Sequence, residues 1–323
     1  MNKINYRRAL LGCVFTVYAI SVAAQESGTW DVKHPMAYER AEIAVAEMDG
    51  KIYVLTGQSP GVQANGFTQV YDPKTGTWQD LSHMPSVASH AGAATVNGKI
   101  YLVGGFVANV HIGAVNRVFE YDPAQDSWRA VAPLSTPRGA PGVVALNGKI
   151  HAIAGRNPEM EMQTTHEVYD PKTDTWTLAE PIPEARDHTG IAVLDGKIHV
   201  FGGRSGATAN RLGTHFIYDP NTDSWTSAAS LSTPRSAGVG FNLNGRIVYA
   251  GGECKDRNLR QTFNEVEAYD PATNSWTTLT PMPDGRHAAA AVVMNDEAYL
   301  IGGNIGCGSS QPANTVLVFR LPD

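Results

Sequence analysis

Charge, cysteine and long apolar runs are all scarce in this chain. Charged side chains make up 17% of 323 residues, the formal net charge is -6, and no basic run occurs anywhere. An acidic chain of that kind makes a poor nucleic-acid binder. The three cysteines and ten histidines show no Cys-x-x-Cys, His-x-His or His-x-x-x-His spacing. The usual metal-ligand signatures are therefore missing, and neither a metal nor a cofactor is expected. Beyond the N-terminus, no apolar stretch is long enough to cross a bilayer.

The N-terminus is the exception. Lys3, Arg7 and Arg8 precede an apolar run from Ala9 to about Val22, which closes on Val22-Ala23-Ala24. Residues 1–24 read as a signal peptide cleaved after Ala24, which predicts a secreted or periplasmic protein. Leu10-Leu11-Gly12-Cys13 offers an alternative, a lipoprotein with a lipidated Cys13, although most of the apolar run lies after that cysteine. Removing the segment takes away three positive charges and shifts the net charge from -6 to -9.

What the rest of the chain has is repetition. Its six tryptophans, Trp30, Trp78, Trp128, Trp176, Trp225 and Trp276, are 48, 50, 48, 49 and 51 residues apart. Gly57, Gly105, Gly155, Gly203, Gly252 and Gly303 keep the same beat, and Tyr-Asp-Pro recurs from Tyr71, Tyr121, Tyr169, Tyr218 and Tyr269. Each unit reads as four short strands. In the second, Ala91 to Val96 and Lys99 to Val103 flank an Asn97-Gly98 hairpin turn, and Arg117 to Tyr121 and Ser127 to Val131 flank Asp122-Pro123. Asp49-Gly50, Asn147-Gly148, Asp195-Gly196 and Asn244-Gly245 repeat the first turn, with Asn295-Asp296 deviating.

A Gly-Gly pair, a Tyr 14 to 17 residues later and a Trp seven after the Tyr resemble the kelch repeat. The resemblance implies an all-β, six-bladed kelch β-propeller over residues 25–323, with four antiparallel strands per blade, akin to the central domain of galactose oxidase. Thr29-Trp30 is a fourth strand without a first three, and Thr315 to Leu321 is a third strand without a fourth. The N-terminal strand is expected to complete the C-terminal blade and close the ring.

Function is expected on the face carrying the loops between second and third strands. Ten residues before each hairpin glycine slot stand Arg40, Ala88, Arg138, Arg186, Arg235 and Arg286. The five arginines read either as a guanidinium ring for carboxylates and sugar acids or as architecture bonded to a neighbouring blade's carbonyls. Directly after each glycine slot come Gln58, Phe106, Arg156, Arg204, Glu253 and Asn304, which the repeat does not dictate and which are the better binding candidates. His90 and His188 fall two residues past their slots and His287 one past, and all three are expected to be structural or surface histidines. Cys254 and Cys307, in adjacent units, are expected to form a disulfide.

These features predict a binding module for a protein, a peptide, or an acidic or glycan ligand. The enzymatic alternative comes from the resemblance, whose relatives include copper radical oxidases and sialic acid mutarotases. The sequence leaves no residues for the oxidases' extra domain. A mutarotase- or epimerase-like site would draw on Arg156, Arg186, Arg204, Glu42 and Glu253, with His188 as a further proton carrier. A structural part in an envelope assembly is a third possibility. Glu253 within reach of Arg204 or Arg156 would favour a small acidic ligand, whereas exposed Phe106 and Val110 would favour a protein partner.

Overall fold

A computed structural model describes residues 28–108, 111–207, 209–308 and 311–322. The signal segment, Cys13 and Val110 lie outside the described residues. Within them the chain forms 24 strands in six four-stranded antiparallel sheets, with no helix.

Blade 1 comprises Ala44–Met48, Lys51–Ser59, Gln63–Asp72 and Thr77–Leu81, counted from the channel outward. In blade 2, Lys99–Val103 and Ser127–Val131 match the expected bounds, and Gly92–Val96 and Val118–Asp122 each begin one residue later than expected. The hairpin turns explain this accuracy. Asn97 and Gly98 have φ of 51° and 70°, the pair of left-handed residues such a turn requires. Asn295 and Asp296 adopt the same turn without glycine, at 50° and 61°.

Innermost strands of successive blades touch all the way round, blade 6 meeting blade 1. Blade 6 consists of Ala290–Met294, Glu297–Ile301 and Val316–Arg320, and its outer strand is the N-terminal Thr29–Lys33. Thr29 pairs with Arg320 and Lys33 with Val316, so the ring closes as expected.

The core lies between blades. Leu55 and Val70 of blade 1, for example, pack against Ile100, Leu102 and Tyr121 of blade 2. The repeated Tyr, Asp and Trp tie one blade to the one before it. Trp128 Nε1 donates to Ser82 O at 2.9 Å, and Trp176 Nε1 to Ala132 O at 2.8 Å. Tyr169 OH and the Ala132 N–H both donate to Asp174 Oδ1, at 2.7 and 2.8 Å. Polar tips on apolar bodies thus fix how adjacent blades sit.

Two loops depart from the pattern. The second and third strands of blades 1 and 5 run on past the glycine slot, as Lys51–Ser59 with Gln63–Asp72 and Arg246–Asp256 with Gln261–Asp270. The Cys254–Cys307 disulfide, with Cα atoms 4.7 Å apart, fastens the blade 5 hairpin to the loop of blade 6.

Candidate functional site at the channel mouth

The site is built on a ring of backbone. Glu42, His90, Ala140, His188, Ala237 and Ala288 occupy one position in each blade, where the chain enters its innermost strand. All six have φ between 51° and 57°, a conformation that costs a non-glycine residue about 1–3 kcal/mol. N–H groups link neighbours round the channel: Glu42 to Ala288 O, His90 to Glu42 O, Ala140 to His90 O, Ala237 to His188 O and Ala288 to Ala237 O, all at 2.8–3.0 Å. Three alanines share this geometry, so the strain is architectural. Only Glu42, His90 and His188 place a polar side chain at this position.

The arginines do not reach the mouth. Arg40, Arg138, Arg186, Arg235 and Arg286 are at most 2% exposed. Arg40 donates to Thr56 O and Gln69 Oε1, at 3.2 and 2.7 Å. Arg138 donates to Thr165 O and Glu167, each at 2.9 Å. Arg186, Arg235 and Arg286 reach Gly202 O, Gly251 O and Gly302 O at 3.0, 2.9 and 3.2 Å. Every one of these partners belongs to the arginine's own blade, not the next one. As ligand-binding candidates these five are corrected: each guanidinium is buried and bonded to carbonyls and side chains of its own blade.

The irregular ring behaves differently. Backbone bridges pair Gln58, Phe106, Arg156, Arg204 and Asn304 with Ala41, Ser89, Gly139, Asp187 and His287, and Glu253 N bonds to Ser236 O at 2.9 Å. These are not solvated loop residues: five are buried, and the Glu253 side chain is 14% exposed. Phe106 lies across Gly139, where a Cβ would fall 2.1 Å from its ring. Its burial removes it from any protein-docking surface. Both amide atoms of Gln58 and of Asn304, together with His287 Nδ1, are buried without a hydrogen-bond partner. Buried polar atoms left open in this way have hydrogen-bonding capacity that a ligand or water would fill.

A network of charges joins blades 3, 4 and 5. Arg204 donates to Asp187 Oδ1 at 2.9 Å and to Glu253 Oε2 at 2.8 Å, and Arg156 Nη2 lies 2.8 Å from Asp187 Oδ2. Burial opposes ionisation of Asp187, but His188, Arg204 and Arg156 hold its carboxyl below the usual range. The Glu253–Arg204 contact that would favour a small acidic ligand exists, yet both mouth arginines are already paired with carboxylates.

Three imidazoles complete the mouth. The rings of His90, His111 and His188 stand 4.9–5.2 Å apart, centroid to centroid, and His90 and His111 rest on Phe106 at 5.3 and 5.6 Å. Burial, with His188, His90 and Arg204 adding to it, pushes His111 down to about 2. Burial also lowers His90, against the pull of Glu42, whose carboxylate lies 3.1 Å away. Burial resists ionisation of Glu42 in turn, but His90, with His188 and His287 adding to it, keeps the carboxyl below its ordinary value. Glu42, His90 and His188 line a cavity of about 110 Å³, beyond which the channel is walled by small apolar residues such as Ala46, Ala94 and Ala291. Histidine grouping was not expected from the sequence. His111 went unmarked there because its loop has no repeating register, and Asp187 because it directly follows a patterned arginine.

The architecture has relatives. The profile of the Attractin/LZTR1 beta-propeller family matches residues 52–311. The chain belongs to the kelch-repeat β-propeller family. It is 31% identical over 309 residues to Kelch-like protein terF of Aspergillus terreus, an alignment covering 92% of this chain and 57% of the fungal protein. The kelch chain thus spans little more than half of that relative's length. N-acetylneuraminate epimerase of Shigella boydii is 38% identical over 72 residues, 22% of this chain and 20% of the epimerase. A solved structure described as YjhT superposes with a TM-score of 0.78 over 90% of this chain and 97% of its own, at 16% identity, a likeness of fold alone.

Proposed function

We propose that this kelch propeller is an exported binding module that takes a small polar ligand, a glycan or the end of a peptide, into its channel mouth. The observation that carries this reading is the set of unpartnered buried polar atoms on Gln58, on Asn304 and on the His287 that pairs with it, in the same ring of blade positions as Arg204 and Glu253. A ligand bearing hydroxyls or amides would satisfy them, and that satisfaction is what discriminates against apolar competitors. The mouth arginines are neutralised by Asp187 and Glu253, so a fully anionic ligand has to displace a carboxylate, and neutral polar groups fit better. The disulfide between Cys254 and Cys307 fits an oxidising compartment and so supports export.

A second reading, acid–base chemistry on a sugar, is favoured by Glu42 lying 3.1 Å from His90 and by the short match to an epimerase. A thermal-shift panel of neutral oligosaccharides, sugar acids and short peptides separates the readings. Binding predicts a stabilising hit that Glu253→Gln weakens at least tenfold. Silence across the panel, or hits indifferent to Glu253→Gln and Arg204→Lys, would refute it. Turnover of the hit that Glu42→Gln abolishes would select the enzymatic reading.

A further inference from the structure

We propose that His90, His111 and His188 form a mononuclear site for a divalent transition-metal ion at the channel mouth. The ligands converge from three stretches of chain. His90 and His188 come from the backbone ring in blades 2 and 4, and His111 from the loop between the second and third strands of blade 2. One nitrogen of each lies within 4.8 Å of the others, and Nε2 of His111 is 3.3 Å from Nε2 of His188. Two imidazole nitrogens bound at about 2.0–2.1 Å to one tetrahedral ion stand roughly 3.3–3.4 Å apart. That pair is already at ligand spacing.

The supporting groups also suit a metal. His90 Nδ1 is 3.0 Å from Ser89 Oγ, while its buried Nε2 faces Glu42 Oε1 at 3.1 Å without an aligned hydrogen bond, close to the spacing of two ligand atoms on one ion. His188 Nδ1 lies 3.0 Å from the buried Asp187 carboxylate, the outer partner that orients ligating histidines. Arg204 Nη2 is 3.2 Å from His111 Nε2 and 3.4 Å from His188 Nε2, so this guanidinium, whose charge Asp187 and Glu253 balance, swings off both nitrogens when an ion enters. Glu42, 3.1 Å from His90, supplies negative charge and a fourth donor. Imidazoles with one carboxylate favour zinc, copper(II), cobalt(II), nickel(II) or iron(II) over magnesium or calcium. Room for a further ligand atom remains in the adjoining cavity of about 110 Å³, with Arg204 placed to stabilise negative charge on it.

Metal affinity is measured with no organic ligand present, so this inference and the binding reading can fail separately. The purified chain is stripped with a chelator and titrated with Zn²⁺ and Co²⁺, with bound metal counted by mass spectrometry and the Co²⁺ visible spectrum recorded. The expected result is one ion per chain and a nitrogen-rich, low-coordinate Co²⁺ spectrum. His111→Ala and His188→Ala should each lose at least about 100-fold in affinity, since even outer-shell partners cost 10–100-fold. Exposed His34→Ala should bind as the unaltered chain does. His111 sits on a loop, so its removal spares blade packing, and circular dichroism verifies the fold. Absence of stoichiometric binding, affinity unchanged in His111→Ala, or equal loss in His34→Ala would overturn the site.

Discussion

Replacing Arg138 with Met should destabilise the propeller by about 3–5 kcal/mol, the cost of leaving one member of a buried ion pair unmatched. Arg138 and Glu167 have side chains 0% and 1% exposed and meet at 2.9 Å. Without the guanidinium, Glu167 keeps only the Ser135 N–H and hydroxyl, both at 2.9 Å. The lost carbonyl contacts matter less, because Thr165 O still accepts from Ala154 N at 2.8 Å. The stranded charge is therefore the dominant cost, and neutralising it should restore much of the loss. Arg138→Met with Glu167→Gln should be more stable than Arg138→Met alone by about 1–3 kcal/mol. Urea unfolding at pH 7 measures both, with an unchanged m-value showing that the same surface is exposed. A cost below about 1 kcal/mol for Arg138→Met, or no recovery in the double variant, would refute the architectural role of the arginine ring.

Two other outcomes follow from buried chemistry. The disulfide closes a 53-residue separation, so Cys254→Ser with Cys307→Ser should lower unfolding stability by up to about 4 kcal/mol, as should reductant acting on the unaltered chain. Equal urea midpoints with and without reductant would contradict it. Burial pushes His151 and His199 down to about 4, and His166 and His215 to about 3. These imidazoles stay neutral when folded and take up protons when unfolded, so their contribution is complete above pH 6.5 and drains away as pH falls toward 4. Each contributes a slope of about 1.4 kcal/mol per pH unit in that window. Urea midpoints that do not move between pH 7 and 5 would exclude this.

The fold was legible because its instructions are local and repeated six times. Asn97-Gly98 dictates a hairpin wherever it stands, and in four units the Tyr hydroxyl bonds to the Asp or Asn five residues further on. The site was half legible. The ring from Gln58 to Asn304 was identifiable as the place where the repeat leaves identity free, but the sequence carries no sign that Arg204 would be neutralised by Asp187. His90 and His111 are 21 residues apart and His188 lies 77 further on, so their proximity depends on ring curvature, which no linear spacing encodes. The direction of the slot arginines was likewise hidden. A guanidinium at the start of an inner strand can serve a ligand, a neighbour or its own blade, and the carbonyls and side chains that select the last option converge only once the sheet has formed.

The central claim is that regular positions build the scaffold and irregular ones bind. It is tested most directly by comparing Arg235→Met with Glu253→Gln for both urea stability and affinity for a ligand found in the panel. Arg235 is fully buried against Tyr249 O at 2.9 Å and the Glu267 carboxylate, whereas Glu253 opens on the mouth. The account predicts a crossing: Arg235→Met loses several kcal/mol of stability while its folded fraction binds normally, and Glu253→Gln keeps its stability and loses at least tenfold in affinity. The reverse pattern, a stable Arg235→Met that no longer binds and a Glu253→Gln that binds unchanged, would contradict it.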